Sequence, residues 1–353
     1  MHGVLGYMLG ENYMKLKKFE GNPILKPNPD NGWEDFAVLN PAVIYDEKLQ
    51  KFVMLYRAVG DEYQHRIRFG LAMSTDGYNF QRCSDTPAMD ARDNDPDEAG
   101  LEDARAVNID GRYYITYASR PFWAGRYWLT REERIKQGVI YHTHPDSAPA
   151  YLKENLTVSY LAYTDDWKSY KRLGKITDTR YDDRDVIIFP ERINGMFVKL
   201  SRPVREYGPR AMWISFSDTI TEWGEPQVLY VGEEWWEKGR LGGSCPPIRT
   251  KDGWLLVYHG VDEEEKIYRT GFMLLDLNDP TKILAKTKDF VMEPEYDYET
   301  KGIYNGCVFP TGIVEKEGLL YIYYGSADKY VSLATVPLDD VLAELKLNPY
   351  SKK

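Results

Sequence analysis

Glu102-Asp103-Ala104-Arg105 places two carboxylates and a guanidinium at the head of an otherwise apolar, strand-like run, where packing alone has no use for them. Side chains alternate faces along an extended chain, so Glu102 points away from Asp103 while Arg105 returns to the same face. Asp103 is therefore the candidate general acid. A single carboxyl can deliver a proton if burial and its neighbours hold its pKa near working pH; the competing reading is a structural hydrogen bond or an ion pair with Arg105. Arg57, Arg202, His259 and Asp328 lie at or near the ends of other strand-like runs. Arg202 and His259 present several donors to an oxyanion, and Arg184 adds another planar fork, a set that suits phosphate better than a neutral sugar. Arg184 also sits in the charged run Asp182-Asp183-Arg184-Asp185, which reads equally well as surface ion pairing. Tyr268 can orient a phosphate oxygen through its hydroxyl or simply pack.

Tyr117, Tyr207, Trp213, Trp235 and Trp236 are flat apolar surfaces of the kind that cover sugar C–H faces, although most aromatics of such a chain must serve the core. His142 and His144 alternate on one side of a segment but bring no further ligands, which argues against a metal site.

These residues need a scaffold that gathers distant strand ends, and the chain repeats one pattern five times: a strand, a tight polar turn, and a second, aromatic-rich strand. The first hairpins run from Asn40-Pro41-Ala42 to Arg57, from Glu102 to Tyr117, from Val186 to Leu200, from Cys245 to His259 and from Cys307 to Tyr324. Asp110-Gly111, Asn194-Gly195, Asp252-Gly253 and Glu317-Gly318 mark the turns, because Asn, Asp and Gly tolerate the backbone angles that match strand twist. Successive turns, counted from residue 46, are spaced by about 65, 84, 58 and 65 residues, the long interval holding a helical or irregular insertion near 121–156. That insertion reads as a loop decoration, or as a lid or oligomer contact bordering the site. No hairpin of this kind buries its own apolar face. The expected fold is all-β, a single five-bladed β-propeller spanning 1–353, with residues near the N-terminus supplying the outer strand that the last blade lacks.

Hydrophobic residues make up 43% of the chain and aromatics 14%, enough for a large core. The balance of 45 basic and 55 acidic residues, with no basic tract, argues against nucleic acid. No apolar stretch is long enough to span a membrane and the first residues do not form a convincing signal peptide, so a soluble cytoplasmic protein is expected. Three dispersed cysteines, Cys83, Cys245 and Cys307, argue against a disulfide framework or a structural zinc site.

From Asn22-Pro23-Ile24-Leu25 to Leu333-Ala334-Thr335 the chain resembles glycoside hydrolase family 130, the β-mannoside phosphorylases and related β-mannosidases. The matching blocks are Glu102-Asp103-Ala104-Arg105, Phe189-Pro190-Glu191-Arg192-Ile193-Asn194-Gly195, Leu200-Ser201-Arg202-Pro203, Tyr258-His259-Gly260 and Tyr323-Tyr324-Gly325-Ser326-Ala327-Asp328. Ala104 and Ser201 depart from the family's more usual proline and histidine. The resemblance implies Asp103 as general acid, acting through the mannose 3-hydroxyl, and Arg184, Arg202, His259 and Tyr268 as the phosphate-binding set that hydrolytic members lack. It further implies Arg57, Arg105 and Asp328 as candidates for recognising mannose hydroxyls, and the aromatic reading adds Tyr117 and Trp213 to the substrate-binding set. The activity so implied is inverting phosphorolysis of β-1,4-mannooligosaccharides to α-mannose 1-phosphate. β-1,2-Mannosides, mannosyl-glucose or mannosyl-N-acetylglucosamine are alternatives, as are a β-mannosidase and a non-catalytic carbohydrate-binding propeller. Phosphate is a co-substrate; no metal or other cofactor is expected, and a homo-oligomer stays open.

Overall fold

The computed structural model describes residues 14–91, 99–141, 143–204 and 210–351. After a two-residue strand, β1 (Lys17–Lys18), twenty more strands form five antiparallel sheets in chain order. The first holds β2 (Ala37–Asp46), β3 (Lys51–Val59), β4 (Ile67–Ser74) and β5 (Gln81–Arg82). The second holds β6 (Glu102–Ile109), β7 (Arg112–Ser119), β8 (Val158–Thr164) and β9 (Lys171–Lys175). In the third are β10 (Asp182–Ile188), β11 (Phe197–Val204), β12 (Ala211–Ser217) and β13 (Gln227–Val231). The fourth splits its inner strand into β14 (Arg240–Gly243) and β15 (Ile248–Arg249), followed by β16 (Trp254–Val261), β17 (Tyr268–Leu275) and β18 (Ile283–Lys286). The fifth contains β19 (Val308–Lys316), β20 (Leu319–Ser326) and β21 (Tyr330–Pro337), with β1 paired on the outside of β21.

Each sheet packs on the next and the fifth returns to the first, so the sheets are the blades of a closed five-bladed propeller. β1 ties the two ends of the ring together and leaves β21 without a free edge, as the sequence led us to expect. The apolar core is divided among the blade interfaces. Val53 and Leu55 meet Ala104 and Ile115 between blades one and two, Ile187 and Val198 meet Leu256 and Met273 between three and four, and Leu255 and Val257 meet Leu320 and Ile322 between four and five.

The recurring turns between third and fourth strands are closed by side chains. Asp76 Oδ1 accepts from the backbone N–H groups of Tyr78 and Asn79 at 2.8 Å each, Asp166 Oδ1 from those of Lys168 and Ser169 at 2.9 Å, and Asp276 Oδ1 from those of Asn278 and Asp279 at 2.9 Å. In the third blade Ser217 and Thr219 hydroxyls take that role instead of Asp218.

The 121–156 insertion carries two short helices, α1 (Arg131–Lys136), capped by Thr130 and Glu133, and α2 (Ala150–Lys153). Residues ahead of α1 fold back across one mouth of the ring, where Trp128 stacks on Phe36 with centroids 5.5 Å apart. Two further helices, α3 (Asp297–Thr300) and α4 (Leu338–Leu347), lie after the fourth and fifth blades. Among the described residues no helix is long and apolar enough to cross a membrane.

Candidate active site

Three inner strands slip register at the same place. Pairing breaks between Leu39 and Ala42, between Glu102 and Arg105, and between Arg184 and Ile187. Each break holds a non-glycine residue in the left-handed region: Asn40 at φ 42, Asp103 at φ 53 and Asp185 at φ 54. Asn and Asp tolerate that conformation better than other side-chain-bearing residues, and a bulge re-aims the side chain it carries. The repeat thus sets three short polar side chains at equivalent positions on three blades.

They gather the chemistry. Asp103 Oδ1 accepts from Asn40 Nδ2 at 2.7 Å and from Arg57 Nη1 at 2.9 Å. Burial pushes the Asp103 carboxyl up, but Arg57 and Arg105, with the hydrogen bonds from Asn40 and Arg57, outweigh it and hold the group below the usual carboxylate range. Asp328 goes the other way, raised by burial although Arg57 and the hydrogen bond from Tyr127 Oη at 2.8 Å oppose the shift. The two acids are thereby driven apart within one cavity.

That cavity, about 340 Å³, is lined by Asn40, Arg57, Asp103, Arg184, Tyr268 and Asp328 among others. Arg184 is held by Asp182 through two hydrogen bonds, Nε at 2.9 Å and Nη2 at 3.0 Å. Arg240 donates to Tyr268 Oη at 2.8 Å and lines the same wall. Immediately behind stands Asp185, which accepts from Arg202 Nε at 2.6 Å and from Arg105 Nη2 at 3.2 Å. His259 Nε2 lies 3.6 Å from the same carboxylate, and its Nδ1 is 3.1 Å from Ser244 Oγ. Asp185 stays well below the usual carboxylate range because the Arg202 and Arg105 guanidinium groups outweigh its burial. Gly242, paired with His259 across β14 and β16, lets this cluster close up: a Cβ there would fall 2.8 Å from Asp185 Oδ2 and 2.9 Å from His259 Cε1.

Of the residues singled out in the sequence, Asp103, Arg57, Asp328, Arg184 and Tyr268 meet in the cavity, and Arg202 and His259 stand together behind its cationic wall. His259 is not a charge: burial, with Arg202 and Arg105 nearby, pulls its pKa down to about 3 despite Asp185. Arg105 faces away from the lining, bonded to Ser244 O, Asp103 O and Asp185, so it braces the bulges instead of meeting sugar hydroxyls.

Tyr117 and Trp213 are corrected outright. Tyr117 is stacked on Tyr160 in the interface between blades one and two. It occupies the repeat position of Tyr56, Tyr258 and Tyr324, all of them buried. Trp213 sits on β12, away from the cavity lining, with its indole largely buried. Trp236 is core, and Trp235 is exposed with Arg269 over one ring face but does not line the cavity, so neither is a platform in it. Tyr207 and His142 lie outside the described residues; His144 stacks on Phe122. The insertion does border the site, through Ala124, Gly125 and Tyr127.

Sequence reasoning missed Asn40, Asp185 and Arg240. Asn40 and Asp185 were legible as the residues in register with Asp103 in the repeat; Arg240, an isolated cation at a strand start, gave no signal. Among the described residues no cluster of three or more His, Cys, Asp or Glu side chains suits a metal ion.

An acid set on an inner strand of a propeller, beside a wall of arginines and a tyrosine, defines an enzyme of the glycoside phosphorylase class. Residues 15–347 match the family model of glycoside hydrolase family 130, described as β-1,4-mannooligosaccharide phosphorylase, and the chain belongs to that family. A 1,2-β-oligomannan phosphorylase from Thermoanaerobacter sp. (strain X514) is 35% identical over 334 residues, covering 93% of this chain and 99% of that protein. A β-1,4-mannooligosaccharide phosphorylase from Ruminococcus albus is 26% identical over 342 residues, covering 93% and 90%. The solved structure of β-1,2-mannobiose phosphorylase from Listeria innocua with β-1,2-mannobiose superposes with a TM-score of 0.76 at 25% identity, covering 95% of this chain and all of that one.

Proposed function

We propose that the protein transfers a terminal β-mannosyl group to inorganic phosphate with inversion, giving α-mannose 1-phosphate and a shortened mannoside. The observation that carries this reading is the placement of Asp103 in one cavity with Arg184, Arg240 and Tyr268, backed by Arg202. Carboxylates alone do not decide between phosphate and water, because Glu102 and Asp328 share the cavity and a hydrolase needs a second carboxylate as base. The cationic wall supports phosphate: water has no use for three guanidinium groups, whereas phosphate, already anionic, needs only to be held in line.

A phosphate oxygen attacks C1, the C1–O bond to the leaving sugar breaks, and a proton originating at Asp103 reaches the departing oxygen. Asp103 is ionised beside Arg57 before substrate binds, so it must first take up a proton from solvent. A phosphate bound nearby opposes the pull of the arginines and raises the affinity of Asp103 for a proton, so filling the site prepares the acid.

The linkage we propose is β-1,2, supported by relatives of 35% and 33% identity that act on β-1,2-mannosides. The β-1,4 linkage favoured by the sequence reading is the second candidate, supported by the family description. The test incubates the protein with β-1,2- and β-1,4-mannobiose, with and without phosphate, and separates mannose from mannose 1-phosphate. Phosphate-independent release of mannose would overturn phosphorolysis, and faster turnover of the β-1,4 substrate would overturn the linkage.

A further inference from the structure

His65 belongs to no part of the machinery described so far, yet it lines the same cavity. It sits in the connection between β3 and β4, in the left-handed region at φ 54, and only 7% of its surface is exposed. Neither ring nitrogen has a hydrogen-bond partner among the described residues. Leaving a buried polar atom unpaired is costly, and here both imidazole nitrogens are left so in a ring that borders the cavity. The ring is held in place by aromatic neighbours: Trp128 at 5.2 Å and Tyr127 at 5.9 Å from the insertion, and Phe36 at 6.5 Å, all edge-on.

The propeller decides which ligand it meets. His65 is on blade one, while Arg184, Arg202, Arg240 and Tyr268 are on blades three and four. In a closed ring of five, blade one stands across the axis from the junction of three and four. Inversion requires the leaving group to depart on the side opposite the attacking phosphate. Resting on the phosphorolytic reading above, we propose that His65 is a specificity-determining residue that hydrogen-bonds hydroxyls of the departing sugar, with Tyr127 and Trp128 fixing its ring. Burial, Arg57 and Arg126 pull its pKa down to about 3, so at neutral pH it offers one donor and one acceptor without charge. That pairing matches a sugar hydroxyl and gives no charge attraction to phosphate.

The test compares His65→Phe, which fills the aromatic cage without nitrogens, with His65→Gln, which keeps a donor and an acceptor. The donors are the better of the two mannobioses and p-nitrophenyl β-mannoside, whose leaving group has no sugar hydroxyls. We expect His65→Phe to lower kcat/KM for the mannobiose tenfold or more, to change the aryl substrate less than twofold, and to leave KM for phosphate unaltered. His65→Gln recovers most of the loss. Equal losses on both donors, no loss on the mannobiose, or a raised phosphate KM would overturn the assignment. If wild type shows no phosphorolysis the proposed function fails by itself, and calorimetric binding of the mannobiose still decides His65. There a tenfold weaker affinity in His65→Phe supports it and equal affinities refute it.

Discussion

Asp185→Asn removes the negative charge that two arginines share while keeping the side chain's size. In the native protein that carboxylate lies 2.6 Å from Arg202 Nε and 3.2 Å from Arg105 Nη2, with its side chain 4% exposed. Leaving one partner of a buried pair uncompensated costs about 3–5 kcal/mol. Because unfolding entropy is about 2.1 cal/mol/K per residue, the 353-residue chain loses about 1.4 °C of Tm per kcal/mol, which predicts a fall of about 4–7 °C. A second consequence has the opposite sign. The arginines left without their anion gain more from phosphate, so added phosphate raises the Tm of Asp185→Asn by more than it raises that of wild type. Thermal melts of both proteins in a phosphate series read both effects. A variant melting within 1 °C of wild type, or one that phosphate stabilises less than wild type, would refute the view of Asp185 as the anion that balances this wall.

Three further outcomes follow from the same geometry. Asp103→Asn abolishes most phosphorolysis, by about 10²–10⁴-fold, with an unchanged circular dichroism spectrum; an unaltered rate rejects Asp103 as the acid. Because the folded pKa of Asp103 is depressed, its contribution to stability is present above the ordinary carboxyl value of 3.8 and is lost as pH falls below it. For catalysis the sign reverses, since the ionised acid must recover a proton: kcat/KM falls about tenfold per pH unit on its alkaline limb, and a flat profile from pH 6 to pH 9 refutes the assignment. Gly242→Ala drives a methyl to within 2.8 Å of Asp185 Oδ2, so KM for phosphate rises while binding of mannobiose alone, measured by calorimetry, changes little; an unchanged phosphate KM shows that the cluster adjusts.

How much of the site could be read in advance varies residue by residue. Asp103, Arg57 and Asp328 announced themselves as charged groups at the ends of apolar strands, and the structure gathers them around one cavity. Tyr117 failed because strand aromatics serve the blade interfaces first, and the buried equivalents Tyr56, Tyr258 and Tyr324 occur in the same repeat. His259 was read as partly cationic from its type alone; burial beside two arginines removes the charge. Arg105 was read from strand alternation, which a register slip between Glu102 and Arg105 interrupts.

The sequence by itself determined the repeat, and with it the closed ring of five blades, because alternating strands and Asp- or Gly-containing turns are local signals that short-range sterics enforce. It also determined which residue types were available to handle a proton and an anion. Only the tertiary structure decided which of them face open space and which stand behind the wall. That outcome depends on bulges at Asn40, Asp103 and Asp185, and on the insertion that lays Tyr127 across the cavity to reach Asp328, 201 positions away in the chain. Contacts of that range come from blades closing on one another, and no window of neighbouring residues records them.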